Sequence, residues 1–172
     1  MITLTDARLL KKIKKNDLHA VLDWFDDRKE KFYNIGWSYL KSHHDVEDVF
    51  QNTILKVNEK IGQLKEDRYF ESWVTSIFIN ECRFIYRKRK KTDVQEHEEA
   101  VKSNELDTRI TISASLTKLD VKYRELIVLK YIQGFSQEEI SELLNLPIGT
   151  VKSRLYRGLL ILRKIMEEGE ES

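Results

Sequence analysis

Residues 135–163 read FSQEEISELLNLPIGTVKSRLYRGLLILR, a pattern of two helices about a tight turn. Ser136 and Glu139 stand at the S-x-x-E spacing of a capping box, which predicts a helix start there. Ile140, Leu143 and Leu144 give that helix an apolar face, and the small Ser141 admits a close crossing by a second helix. Asn145 tolerates a left-handed backbone and can end the first helix. Pro147, the only proline, marks the turn because it lacks the N–H that a helix interior needs. The second helix is expected to open near Gly149 or Thr150, with Val151, Leu155, Leu159 and Leu162 turned inward. Its other side carries Thr150, Lys152, Ser153, Arg154, Tyr156 and Arg157.

A helix with an apolar back and such a front suits a DNA major groove. Arginine and lysine bond guanine edges, while hydroxyls and cations hold phosphates. Between positions 149 and 166, Lys152, Arg154, Arg157, Arg163 and Lys164 occur without an acid, in a chain of net charge +1. For a single basic helix the plainer reading is a solvated face on a helical hairpin. The capping box, small residue, turn and basic second helix together favour DNA.

The chain has 172 residues, of which 41% are hydrophobic and 34% charged. That length allows one domain or two small ones. Six glycines and one proline are few breakers, and helical periodicity runs through most of the sequence, so an all-α chain is expected. The first residues, MITLTDARLLKKIKKN, lack the apolar run of a signal peptide. Leu4, Leu9, Leu10 and Ile13 instead predict a short amphipathic helix. No membrane insertion is expected. The single Cys82 excludes an internal disulfide, fits a reducing cytoplasm, and reads as a buried thiol among aromatic neighbours.

From Asp17 to Lys41, Leu18, Val21, Leu22, Phe25, Phe32, Ile35 and Leu40 fall at helical intervals, which predicts one or two helices interrupted near Gly36. Trp24 and Trp37 read as packing residues. The next helix opens with Asp45, Glu47 and Asp48, acids suited to the positive end of a helix dipole. Its buried stripe is Val46, Val49, Phe50, Thr53, Ile54 and Val57. Asp45, Asp48, Gln51 and Asn52 share an exposed polar face, solvated or in contact with a partner. His43 and His44 have no further ligand at metal-binding spacing, so no metal is expected. After the connector LKEDRY, Phe70, Trp73, Val74, Ile77, Phe78, Phe84 and Ile85 mark an apolar helix. Its C-terminal end is Arg87, Lys88, Arg89, Lys90 and Lys91. Cations there complement the helix dipole, but the run, with Arg83 upstream, exceeds what a cap requires. Aromatic residues beside cations also fit unpaired nucleic acid.

Composition changes at Lys91. Residues 91–112 are rich in acids and have no periodic apolar face, as a linker would. At about 3.3 Å per residue that stretch spans roughly 70 Å when extended. Beyond it, Leu119, Tyr123, Leu126, Ile127, Leu129 and Tyr131 predict a helix supporting the hairpin, ended by Gly134. The expected organisation is therefore a helical domain over 1–91, a flexible linker over 92–111 and a helix-turn-helix domain over 112–172. There is no phosphate-cradling glycine loop, H-E-x-x-H or G-x-S-x-G in the sequence, so neither catalysis nor a cofactor is expected.

Three stretches in this order resemble the extracytoplasmic-function (ECF) sigma factors of bacterial RNA polymerase. DVEDVFQNTILKV is similar to the segment that docks on the polymerase clamp helices, and FESWVTSIFINECRFIYRKRKK to the helix that melts the promoter and reads the minus-ten element. YRELIVLKYIQGFSQEEISELLNLPIGTVKSRLYRG is similar to the helix-turn-helix that reads the minus-thirty-five element. The resemblance implies that Asp45, Glu47, Asp48, Gln51 and Asn52 face polymerase. It implies that Asn80, Arg83, Arg87 and Lys88 lie along the melted strand, with Lys65 and Arg68 in a loop near a flipped base. Lys152, Ser153, Tyr156 and Arg157 would meet the upstream element. Phe84 stands where many members carry an acid, Asn145 where a glycine is usual and Val121 where a proline is frequent. The implied partners are core polymerase, promoter DNA both duplex and melted, and an anti-sigma factor. The other reading is a polymerase-independent helix-turn-helix regulator, which would leave the aromatic-basic helix of the first half unexplained.

Overall fold

The computed structural model describes residues 4–92 and 114–170. Among them every regular element is helical, and the chain divides into two units, Met1–Glu96 and His97–Ser172. The expected linker lies outside the described residues, except that Thr92 is the last residue of a helix.

In the first unit, α1 spans Leu4–Ile13, α2 Leu18–Asp26, α3 Lys29–Leu40, α4 His43–Lys60 and α5 Phe70–Thr92. Local chemistry sets the boundaries. The Asp17 carboxylate accepts from the backbone N–H groups of His19 and Ala20 at 3.0 and 3.3 Å and starts α2. Lys41 ends α3 with a left-handed backbone at φ 50°, and Ser42 caps α4 by accepting from the Asp45 N–H. These side chains satisfy donors that a helix start leaves open.

The break expected near Gly36 falls instead at Asp27–Arg28, between α2 and α3. Gly36 lies inside α3 for a packing reason: a Cβ there would sit 3.0 Å from Val46 Cγ1. Glycine thus lets α3 and α4 approach closely. The core is aromatic. Trp24 meets Phe70 with ring centroids 5.0 Å apart, and Phe78 meets Phe32 and Phe50 at 5.0 and 5.1 Å, all edge to face. Such pairs add to the burial term that drives collapse. Trp37 is half-buried and packs against Tyr33 and His43. Leu18 and Leu22, which fall in the helical period of the sequence, lie on the outer side of α2.

In the second unit a helical stretch at 114–118, α6, precedes α7 at Val121–Ile127, which continues as a π-helical turn over Val128–Ile132. Then come α8, Gln137–Leu144, and α9, Ile148–Glu170. Both halves of the Ser136–Glu139 capping box are formed, at 3.1 and 2.7 Å. Asn145 is left-handed at φ 50°, and the Pro147 carbonyl accepts from Thr150 and Val151. Ser141 does more than make room: its hydroxyl donates to the Leu146 carbonyl and ties the turn to α8.

Two inward assignments are corrected here. Tyr131 is exposed, because the extra residue in the π turn rotates the chain after Ile127. The i→i+5 bond from the Gln133 N–H to the Val128 carbonyl records this. Leu159 is exposed as well, and Gly158 is the residue packed inward. A Cβ on Gly158 would lie 3.1 Å from Tyr123 Cβ and 3.2 Å from Ile127 Cδ1. Arg124 is buried at 5% exposure. It donates to the carbonyls of Thr117 and Leu119, both at 3.1 Å, which closes α6 onto α7.

Candidate nucleic-acid interface

In the second unit α9 is held by its back. Val151, Leu155 and Gly158 are buried, while Lys152, Ser153, Tyr156 and Arg157 are exposed and Thr150 and Arg154 half-exposed. Tyr156 is 66% exposed, so its ring is not part of the core. Ser153 Oγ donates to the Thr150 carbonyl at 3.1 Å, which leaves the hydroxyl oxygen able to accept. The six side chains named from the sequence therefore surround the outward half of the first turns of a helix. Its position is fixed by the capped turn before it and by the close approach of Tyr123 behind it.

In the first unit the basic end of α5 divides into two kinds of residue. Asn80, Arg87 and Lys88 are exposed and Arg83 is half-exposed. Asn80, Arg83 and Arg87 fall at steps of three and four, so they share one helical face. Arg87 Nε donates to the Arg83 carbonyl at 3.2 Å. Phe84, one of the residues that mark this helix as apolar in the sequence, belongs to the same face and is 59% exposed. Two positions past Cys82 is about 200° around the helix, so the stripe of Phe70, Val74, Phe78 and Cys82 turns Phe84 outward.

Arg89 is different. It ion-pairs with Asp45 at the start of α4 and donates to the Leu40 carbonyl at 3.0 Å. It belongs to the packing of the unit, which the run of cations in the sequence does not reveal.

Lys65 and Arg68 lie in the loop before α5, both exposed. Arg68 pairs with Glu66 at 2.8 Å and its guanidinium sits 4.7 Å from the Tyr69 ring centre. Lys14 of α1 pairs with Asp67 in the same loop.

On α4, Glu47, Gln51 and Asn52 are exposed. Asp48 is half-exposed and pairs with His44 at 3.2 Å. Asp45 departs from this group: it is 17% exposed, held by Arg89. Asp48 and Asn52 line a groove whose other wall is Phe84, Ile85 and Lys88 of α5. Residues from the α4 face and the α5 face thus meet in one groove. Donor atoms of His44, Asp45 and Asp48 lie within 4.8 Å of one another, but one of these carboxylates already serves Arg89.

Buried Cys82 has its thiol pKa pushed well up, first by burial and then by the neighbouring Glu81 charge. No described helix is long and apolar enough to cross a membrane.

Residues 24–92 match the family model of Sigma-70 region 2, and residues 109–162 that of Sigma-70, region 4. The chain is 34% identical over 180 residues to the ECF RNA polymerase sigma factor SigW of Bacillus subtilis (strain 168), covering 92% of this chain and 95% of the relative. It is 30% identical over 155 residues to RNA polymerase sigma factor SigV of the same organism, covering 87% and 93%. The fold is similar to that of CnrH, solved in complex with the cytosolic domain of CnrY, with TM-score 0.70 at 24% identity over 95% of this chain and 98% of that one. It is also similar to RpoE from Bartonella quintana, solved with the anti-sigma factor NepR, with TM-score 0.67 at 24% identity over 84% and 97%. By both family matches and by its likeness to SigW and SigV along nearly their whole length, the chain belongs to the ECF sigma factors of the sigma-70 family.

Proposed function

We propose a division of labour for this RNA polymerase sigma factor, which binds core polymerase and directs promoter-specific initiation. Residues 1–91 dock on polymerase and engage the minus-ten element, residues 112–172 read the upstream element, and 92–111 join them. The observation that carries the upstream role is the solvent-facing set Lys152, Ser153, Tyr156 and Arg157 on a helix locked from behind by Val151, Leu155 and Gly158. Thr150 and Arg154 flank that set. Outward residues at the start of a recognition helix reach base edges, and flanking cations reach phosphates.

Glu47, Asp48, Gln51 and Asn52 form the polymerase-docking face. Asp45 supports this face from within the unit. Asn80, Arg83, Arg87 and Lys88 lie along the melted strand, and Lys65 and Arg68 border the flipped base. Polymerase supplies the chemistry, so no catalytic group is required of this chain. The role is carried out in the cytoplasm. An anti-sigma factor is the proposed regulator, by analogy with RpoE, which was solved with NepR.

Transcription with purified core polymerase tests the reading, and Arg157→Ala and Lys152→Ala refine it. A contact that reads a base should cost about 1–3 kcal/mol and relax preference at one promoter position. A phosphate contact should weaken all sequences alike and flatten the salt dependence. If neither substitution changes affinity, sequence preference or salt slope, the recognition-helix assignment fails.

A further inference from the structure

We infer that Arg89 is a positioning residue, a clip that ties the basic end of α5 to the junction of α3 and α4 and so couples polymerase docking to strand holding. Arg89 lies in the last turn of α5. Its guanidinium donates to the Leu40 carbonyl at 3.0 Å and pairs with Asp45. Leu40 is the last residue of α3, where carbonyls lack helical partners, and Asp45 lies in the first turn of α4. One side chain thus serves the ends of three helices. Both partners are largely shielded, with exposures of 28% and 17%, so water screens the pair less than a surface pair. A planar guanidinium can serve a carbonyl and a carboxylate at once, which a lysine ammonium on a flexible stem does less well.

The clip sits beside the groove where Asp48 and Asn52 face Phe84 and Lys88. A partner that grips the α4 face therefore grips a helix end joined to the cations of α5. The clip adds a tie between elements to the intrahelical hydrogen bonds of the last turn of α5. This inference rests on the proposed docking and melting roles, but its physical core concerns the free protein.

Three variants separate the possibilities: Arg89→Ala, Arg89→Lys and Asp45→Asn. In the free protein, amide exchange in the last turn of α5 should speed up about tenfold in Arg89→Ala and in Asp45→Asn. In reconstituted holoenzyme, permanganate reactivity of promoter thymines should fall about fivefold or more in each, with core affinity of Arg89→Ala nearly unchanged. The double variant should be no worse than Arg89→Ala alone, because that substitution already removes the pair with Asp45.

Recovery of opening by Arg89→Lys would mean that Arg89 is a charge for DNA, and would overturn the clip. So would unimpaired opening in Asp45→Asn, which would only free that charge. Unchanged exchange, or a parallel fall of core affinity in Arg89→Ala, would also overturn it. If wild-type holoenzyme opens no promoter, the functional reading fails, while the exchange measurement still decides the clip.

Discussion

Cys82 shows how a single position carries its environment. It is fully buried on α5, and burial together with the Glu81 charge raises its thiol pKa. The thiolate is the reactive form, so the native protein should resist alkylation. At pH 8, iodoacetamide should label Cys82 at least about tenfold more slowly in the folded than in the denatured protein. Equal rates would show that the thiol is reached in the native state. This burial was legible in the sequence, where Cys82 sits in a helical register with Phe78 and Ile85. Arg124 was not legible. An arginine reads as a surface residue, and the carbonyls of Thr117 and Leu119 that draw it inside converge only once α6 and α7 have packed. Arg89 repeats the lesson, because Asp45 and Leu40 lie far from it in sequence.

Helix ends were legible because their chemistry is local. Ser136, Glu139, Asn145 and Pro147 announce the turn with residues only a few positions apart, and the structure forms each device. Replacing Ser136 by alanine should destabilise the second unit by about 1 kcal/mol, since one N–H at the start of α8 loses its acceptor. Thermal or denaturant unfolding of the purified protein measures this, and an unchanged midpoint for that unit would show the cap contributes nothing. Helix faces were harder to read. Leucine at 159 fits an apolar period better than glycine at 158, yet the approach of Tyr123 leaves room only for the glycine. Phe84 is hard to place for a similar reason, since a run of apolar and aromatic residues hides which of them belong to the buried stripe. The outward Phe84 matters for the site, because it stands among Asn80, Arg83 and Arg87 where a polar residue would be expected.

At the scale of the molecule, the two family matches correspond to the two helical units. Each unit has its own core: Trp24, Phe32 and Phe78 in the first, Leu126, Ile140 and Val151 in the second. Independent cores make each unit able to hold its shape without the other. The proposed joining segment, 92–111, was assigned from composition, because its acids leave too little apolar surface to offset the entropy of ordering. Protease choice turns this into a sharp test. A glutamate-specific protease finds Glu96, Glu98, Glu99 and Glu105 there. In the first unit it finds Glu30, Glu47, Glu59, Glu71 and Glu81 within helices and Glu66 in an exposed loop. Cleavage needs a locally extended backbone, which helices yield only on opening. With the free protein and limiting protease, the first internal cut should fall between residues 92 and 111, aside from trimming at the C-terminal glutamates. It should release two fragments that persist while the intact chain disappears. Mass spectrometry of the early products locates the cut. An initial cut at Glu66, or protection of the whole 92–111 stretch without any partner, would remove the linker from the proposed organisation and leave the two units joined by ordered chain.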